Sequence, residues 1–280
     1  MRVVDLLTPE RKTSNESTPL RLRKQHTSFT SYRAIFALVL REISTTYGRS
    51  AGGYIWAVLE PAAGVVLLTI IFSIGFKSPP LGSDFAYFYA SGLLAFTMYA
   101  DISAKLGQSI QFSQRLLSYP RVTFVDALLA RLLLNTLTQL IIHLIVMTFV
   151  VLISSADVSI DMSKLVIGYA MVIVLSAGIG TLNSFLSLAY PIWATAWAVL
   201  SRPLFIASCI FFVFDAVPQP YNDYLWYNPL VHIIGMMRDG YYPYYQPNYV
   251  SVVYVFVVGL TTLCIGLFFL NRYHRDIILK

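Results

Sequence analysis

The chain has 280 residues, of which 57% are hydrophobic and only 12% are charged, and its formal net charge is +6. Soluble domains carry about 25% charged residues, so this composition indicates an integral membrane protein. The first fifty residues are polar and basic and lack a signal-peptide pattern, so we expect them to be retained in the cytosol. Cys209 and Cys264 each lie in an apolar run, which favours small buried residues over a disulfide or metal pair.

The N-terminal region predicts two segments before the first apolar run. Residues 1–28 mix charge, Ser, Thr and Pro without an apolar period, which is typical of a flexible cytosolic tail. In residues 29–48, apolar side chains recur at helical spacing, and charged side chains such as Arg41 and Glu42 lie between them. This pattern predicts an amphipathic helix that lies in the membrane surface.

Six apolar runs follow within residues 49–271, and each is close to the roughly 20 residues that cross a bilayer as a helix. We therefore predict an all-α integral membrane protein with six transmembrane helices and a short C-terminal tail at residues 272–280. The predicted spans are residues 54–76, 85–107, 127–153, 165–188, 195–214 and 250–270.

The positions of Lys and Arg predict the orientation, because cytoplasmic flanks are enriched in these residues. With the N-terminus inside, the inner flanks hold sixteen of the 20 basic residues. Nine precede the first span, four flank the loop between the second and third spans, and three follow the last span. The outer flanks hold three, and Arg202 falls within a span. Both ends are predicted to be cytosolic, and membrane topology, not nucleic-acid binding, explains the net charge.

An aromatic hairpin is predicted between the last two spans. Residues 215–247 contain seven tyrosines, one tryptophan and five prolines. Asn228 and Pro229 form a good helix start, and Asp239 and Gly240 a good stop. The helix between them has about eleven residues and covers only about half of a hydrocarbon core. It is therefore predicted to be re-entrant or interfacial, on the outer face.

A second aromatic cluster, residues 85–89, begins the second span on the same outer face. Tyr and Trp rings are common at both membrane interfaces. Two interpretations stay open: an aromatic belt that anchors the protein, or a belt that also contacts a substrate.

The loop of residues 111–121 is the only internal cytosolic segment of any size in the predicted topology. Its core is long enough for two helical turns. It is either a solvated basic connector or a docking element for a cytosolic partner. In the second case Leu116, Leu117 and Tyr119 are apolar anchors, and the arginines form the rim.

The chain has no match to the P-loop pattern G-x-x-x-x-G-K-[ST], so another polypeptide would have to supply any ATP-driven step. Gly178 and Gly180 lie within a span and are predicted to form a close helix contact. Ionisable groups within spans are functional candidates by default. Glu60 is such a group unless it snorkels to the headgroups, and Arg49 or another cationic residue near the inner surface could pair with it. For His143 we favour a hydrogen-bonded core residue. The scarcity of these groups argues against an ion-coupled transporter.

Over about residues 30–275 the chain resembles the membrane subunit of the ABC-2 type polysaccharide exporters, particularly the capsule exporters of Gram-negative bacteria. The resemblance rests on residues 47–50, 53–57 with Glu60 and Pro61, 115–121, and 227–232 with Arg238. It implies a homodimer of six-span subunits in the bacterial inner membrane, bound to two copies of a separate ATPase. ATP and Mg would bind to that ATPase, and this chain would need no cofactor. The implied cargo is a lipid-linked capsular polysaccharide, with periplasmic and outer-membrane export partners and no nucleic acid.

The resemblance also implies roles for three sets of residues. The implied ATPase contacts are Arg41, Glu42, Arg115, Leu116, Leu117, Ser118, Tyr119, Pro120 and Arg121. The implied sugar path consists of Tyr87, Phe88, Tyr89, Tyr241, Tyr242, Tyr244 and Tyr245. The implied gate or structural polar residues are Arg49, Trp56, Glu60, Arg202, Asn228 and Arg238.

Two alternatives stay open. The first is an ABC-2 permease for another cargo, such as O-antigen, teichoic acid, a lipid or a drug. The second is a membrane-bound transferase, which would show a His/Asp cluster at one membrane face. The only such group has no recognised spacing and consists of Asp215, Asp223, His232 and Asp239.

Overall fold

Every regular element in the described part of the chain is helical. The computed structural model describes residues 35–43, 52–117, 123–154 and 159–278, and no strand occurs in these ranges. This confirms the all-α fold class. The first helix, α1, covers the described residues 35–43. The other helices are α2 (Gly53–Gly75), α3 (Phe85–Gly107), α4 (Ser109–Leu117), α5 (Phe124–Ile153), α6 (Met162–Ala189), α7 (Trp193–Ile206), α8 (Tyr221–Trp226), α9 (Pro229–Tyr241) and α10 (Val252–Ile278), with a 3₁₀ turn at Phe214–Ala216.

Four helices are long and apolar enough to cross a membrane, and they match the first, third, fourth and sixth predicted spans. They are Ile55–Gly75, Phe124–Ile153, Met162–Ala189 and Val252–Tyr273. At 23 residues α3 is also long enough, but its tyrosines, serines and Asp101 lower its hydropathy. It lies at the centre of the fold, where it packs against α2, α5, α6 and α9.

The fifth predicted span, residues 195–214, is not one helix. α7 ends at Ile206 after 14 residues, which rise about 21 Å against a hydrocarbon core of about 30 Å. The chain then turns, and Cys209 takes a left-handed backbone conformation with φ of 60°. The predicted burial is confirmed for Cys209 but is wrong for Cys264, which is exposed on α10. The apolar composition of the run predicted neither the turn nor its position.

Helix α9 begins where the sequence predicts. The Asn228 side chain accepts a hydrogen bond from the backbone N–H of Leu230 (3.0 Å), and Pro229 occupies the first turn. The predicted stop was wrong, because α9 continues to Tyr241. Gly240 instead allows close packing, since a Cβ there would lie 2.6 Å from the Leu165 side chain. The short helix α8 was not predicted.

Close helix contacts hold α6 in the core. A Cβ on Gly178 would clash with the carbonyl oxygen of Gly259 in α10, and one on Gly180 would lie 2.6 Å from the Leu106 side chain in α3. The predicted close contact at these glycines is therefore confirmed. α10 continues to Ile278, so most of the predicted C-terminal tail is helical.

Candidate functional site

One buried arginine holds the chain where α7 ends. Arg238 in α9 is only 1% exposed. Its Nη1 donates to the carbonyl oxygens of Cys209 (2.8 Å) and Phe212 (2.9 Å), and its Nη2 donates to that of Ile210 (2.9 Å). The guanidinium thus satisfies three backbone acceptors that a buried turn would otherwise leave unpaired. α9 thereby fixes the conformation of the turn.

The ring of Phe88 in α3 supports the same guanidinium. The Cζ atom of Arg238 lies 4.2 Å from the centroid of that ring, within cation–π range. α3 can pass this close because Gly92 has no side chain, and a Cβ there would lie 3.1 Å from Nη2. The ion pairs of the described residues do not include Arg238. Carbonyl dipoles and an aromatic face therefore surround its charge.

Tyrosines from both aromatic clusters lie beside this arginine. The hydroxyl of Tyr87 in α3 donates to the carbonyl oxygen of Tyr241 (3.0 Å), and its ring meets that of Tyr242 at 5.1 Å between centroids. The hydroxyl of Tyr241 lies 3.1 Å from Nε2 of His143 in α5. His143 is therefore a hydrogen-bonded core residue, as predicted, and these bonds join α3, α5 and the end of α9.

Six of the seven rings predicted to line a sugar path are buried in the single chain. None of the six is more than 8% exposed, whereas Tyr244 is 94% exposed. Of these seven rings, Tyr244 is the one that presents a face that a polymer could contact in this conformation. A path role for the other six stays a prediction, and their contacts are those of core residues. The six are Tyr87, Phe88, Tyr89, Tyr241, Tyr242 and Tyr245.

The loop after α9 is tied to the 3₁₀ turn and to the residues before α10. The hydroxyl of Tyr245 donates to Oδ2 of Asp215 (3.4 Å) and lies 3.2 Å from the hydroxyl of Tyr249. Burial raises the pKa of Tyr245 to about 12. The phenol therefore stays protonated to a higher pH than an ordinary tyrosine and can donate its hydrogen bond to Asp215 throughout that range.

Two of the four residues that could have formed a transferase site, His232 and Asp239, are held by other groups. Nδ1 of His232 accepts from the backbone N–H of Ser251 (3.2 Å), so its proton is on Nε2, which donates to the carbonyl oxygen of Trp226 (2.8 Å). Burial lowers the pKa of His232, which favours this neutral form. Asp239 pairs with Lys164 at 2.7 Å. Both nitrogens of His232 are thus held by the backbone.

An ion pair at the other end of α3 joins α1 to α5. Nε of Arg131 donates to Oε1 of Glu42 (2.8 Å), and the two side chains are 8% and 10% exposed. Nη1 of Arg131 donates to the carbonyl oxygen of Lys105 in the last turn of α3 (2.8 Å). Lys105 lies about 17 positions after Phe88 in α3, so the two ends are about 25 Å apart.

Phe112 brings α4 into the same cluster. Its ring centroid lies 4.4 Å from Cζ of Arg131 and 5.4 Å from Cζ of Arg41. Helices α1, α3, α4 and α5 therefore meet around Arg131. We call Glu42, Arg131, Phe112 and the Lys105 carbonyl the Glu42–Arg131 cluster. The carboxylate of Glu42 bonds within the chain, and its predicted role as an ATPase contact stays a prediction.

Part of the predicted ATPase contact lies outside the described residues. Arg115, Leu116 and Leu117 end α4, so this loop begins as a helix. Residues 118–121 lie beyond the described ranges, as does Arg49. The docking role of the loop stays a prediction.

The remaining predicted polar residues are spread over α2, α7 and the start of α9. Trp56 and Glu60 are exposed on α2, and Arg202 is exposed on α7. Nδ2 of Asn228 donates to the carbonyl oxygen of Ala207 (3.0 Å), which links the start of α9 to the end of α7. Asn228 therefore caps its own helix and supports the turn that Arg238 holds.

Sequence reasoning missed the role of Arg131. It counted this residue only among the basic flanks, although Arg131 lies four residues inside the predicted span 127–153. An arginine at that depth in a membrane span needs a partner within the protein, so its position could have indicated a buried interaction. The partner could not be named, because Glu42 is 89 positions away in the chain.

Comparisons with known proteins place these features in a family. A family model described as ABC-2 type transporter matches residues 33–242. The chain is 33% identical to the polysialic acid transport protein KpsM of Escherichia coli over 231 residues, which cover 82% of this chain and 90% of that protein.

Two further relatives are capsule polysaccharide export inner-membrane proteins. CtrC of Neisseria meningitidis is 24% identical over 245 residues, and BexB of Haemophilus influenzae is 25% identical over 246 residues. Each alignment covers 88% of this chain and 92% of the relative. The chain belongs to the ABC-2 type transporter family of membrane proteins.

Proposed function

We propose that this chain is the membrane permease of an ATP-binding cassette exporter that moves capsular, lipid-linked polysaccharide across the bacterial inner membrane. The observation that carries the proposal is the similarity to three transport proteins of this kind over 82% to 88% of the chain. Each alignment also covers at least 90% of the relative. The similarity therefore extends along the membrane domain and is not confined to one motif.

A separate ATPase supplies the energy in this proposal. The sequence has no P-loop pattern, so ATP and Mg bind to the partner. The permease is a homodimer that binds two ATPase copies, as the family resemblance implies. Periplasmic and outer-membrane proteins complete the export route.

The proposed topology has six crossings with both ends in the cytosol. The four apolar helices each cross, and α3 crosses between α2 and α5. α7 and the turn after it make the fifth crossing as a broken segment, because α7 alone is too short. Irregular backbone at membrane depth is tolerated where protein buries it, and Arg238 satisfies three carbonyls of that turn. α8 and α9 form the outer re-entrant hairpin.

The Glu42–Arg131 cluster links helix α1 at the membrane surface to the membrane-crossing helices, so a movement of α1 can be passed on to them. Glu42 in α1 is bonded to Arg131 in α5, which is bonded to the end of α3. A partner that moves α1 therefore also displaces α5 and α3, unless it breaks a buried ion pair. In this proposal the ATPase contacts α1 and the loop that begins at the end of α4.

Exposed tyrosines supply the polymer contacts. Sugar rings can stack their C–H faces on aromatic rings, and their hydroxyls can bond to phenols. Tyr221, Tyr224 and Tyr227 recur every three residues and are 65% to 73% exposed, and Tyr244 is 94% exposed. Many weak contacts suit a polymer that must slide, by analogy with ion conduction. The proposed sugar contacts are therefore exposed tyrosines and not the buried rings that were predicted from the sequence.

Deletion of the gene tests the function. We expect surface polysaccharide to disappear and polymer to accumulate in the cytosol, and the wild-type gene should restore export. Surface and cytosolic polymer are measured in the same cells. Normal surface polysaccharide in the deletion strain would show that the cargo is something else.

A further inference from the structure

A cavity of about 620 Å³ lies between α2, α3 and α5. Ligand pockets commonly have volumes of about 300–1,000 Å³. Glu60, Asp101 and Lys105 line it, and so do Leu93 and Ile142. The cavity is therefore neither wholly polar nor wholly apolar.

The polar and apolar residues lie at opposite ends of the cavity. Lys105 belongs to the last turn of α3, next to Arg131, so it marks the end near the Glu42–Arg131 cluster. Leu93 lies three turns earlier in α3, and a Cβ on Gly64 of α2 would lie 3.1 Å from its side chain. The rings of Phe72, later in α2, and Tyr89, earlier in α3, also meet at 5.1 Å between centroids, so the two helices run antiparallel here, with Gly64 at the apolar end. Trp56 and Glu60, earlier in α2, lie toward the polar end.

Glu60 calls for a cationic partner. It lies within the membrane-crossing segment Ile55–Gly75, where a carboxylate normally faces a cavity or a partner. The ion pairs within the described ranges do not include Glu60. Lys105 lines the same cavity but is paired with Asp101 at 3.4 Å, and Gln139 also donates to Asp101. An ammonium group on a ligand would supply the cationic partner that Glu60 lacks among the ion pairs of the described residues.

We propose that this cavity binds a phospholipid with a primary-ammonium, zwitterionic headgroup, as in phosphatidylethanolamine. The ammonium bonds to Glu60, and the phosphate lies near Lys105. An acyl chain runs along Gly64, Leu93 and Ile142. Trp56 lies at the rim, where indole rings favour the membrane interface and can face a cation. A sugar chain would leave the apolar end of the cavity unfilled, so a phospholipid matches the lining residues better.

Native mass spectrometry of the purified protein tests the site. Phosphatidylethanolamine, phosphatidylglycerol and phosphatidylcholine with identical acyl chains are each added at one concentration. We expect the ethanolamine lipid to bind about tenfold more tightly than the other two, because only it can donate charge-assisted hydrogen bonds to Glu60. Glu60→Gln should remove this preference. Lys105→Gln should weaken all three lipids alike, and the exposed control Asp223→Asn should change nothing.

Three results would overturn the proposal. One is equal binding of the three lipids to the wild-type protein, and another is an unchanged preference in Glu60→Gln. The third is displacement of the ethanolamine lipid by a capsular oligosaccharide, which would make this a sugar site. If Glu60→Gln is not monodisperse, Lys105→Gln decides, and unchanged binding there counts against the site. The assay needs no transport, so its outcome is independent of the proposed cargo.

Discussion

Separating Glu42 from Arg131 should destabilise the protein more than any surface change. Among the residues that the structure describes, Glu42→Leu leaves the Arg131 guanidinium, whose side chain is 8% exposed, with the Lys105 carbonyl and the Phe112 ring. Removing one member of a buried ion pair typically costs about 3–5 kcal/mol, because the remaining charge is desolvated without its partner. We expect a loss of that size in the free energy of unfolding.

The double variant gives the sharper test. Glu42→Leu combined with Arg131→Met removes both charges, and replacement of a whole buried pair by apolar residues is often neutral. Its cost should therefore be at least about 3 kcal/mol smaller than the sum of the two single costs. The half-buried control Lys164→Met, which breaks the more exposed pair with Asp239, should cost no more than about 1 kcal/mol.

Denaturant titration of the purified protein in mixed micelles measures these free energies, and surface polysaccharide per folded protein measures export. The single variants should lose stability, and the double variant should recover most of it. Export should stay low in the double variant, because α1 is no longer bonded to α5. If the double variant lost as much free energy of unfolding as the two single variants together, the interaction between Glu42 and Arg131 would contribute nothing to stability. Normal export from a stable double variant would show that the pair does not couple α1 to the spans.

The remaining predictions concern the other end of α3 and the topology. Arg238→Met should cost more than about 3 kcal/mol, because it removes three buried hydrogen bonds, whereas exposed Arg202→Met should stay within about 1 kcal/mol in the same titration. Tyr241→Phe should cost about 1 kcal/mol and Tyr241→Ala about 3–5 kcal/mol. Tyr244→Ala should keep normal stability but lower export, and unchanged export would remove it from the path. In a background without Cys209 and Cys264, cysteines at Asn222 and Gln246 should be labelled from outside and those at Ser14 and Ser118 should not. Labelling at Ser118 in intact cells would contradict the topology.

Local signals in the sequence predicted the parts of the fold that depend on neighbouring residues. The start of α9 depends on the Asn228 side chain and the fixed φ of Pro229, both of which can be read from two adjacent letters. The long apolar spans follow from composition alone. The close contact of α6 was predictable because paired glycines within a span have few other uses.

Contacts between distant residues decided the parts that the sequence did not predict. α7 ends where Arg238 binds carbonyls 26 to 29 positions away, so no local signal marks the break. The tyrosines show the same difficulty, because buried Tyr241 and exposed Tyr244 are three residues apart in one aromatic run. Whether such a ring is buried depends on packing against distant residues such as Tyr87, and the composition of the run does not predict that packing.

Polymer movement in inside-out membrane vesicles tests the central claim most directly. The vesicles contain this chain and its ATPase, and labelled capsular polysaccharide on its lipid carrier is supplied outside. We predict that added ATP moves polymer into the lumen, where a glycan hydrolase added outside cannot degrade it. No protection should appear without ATP or without this chain. ATP hydrolysis by the assembled complex with all of the polymer still degradable would contradict a polysaccharide exporter.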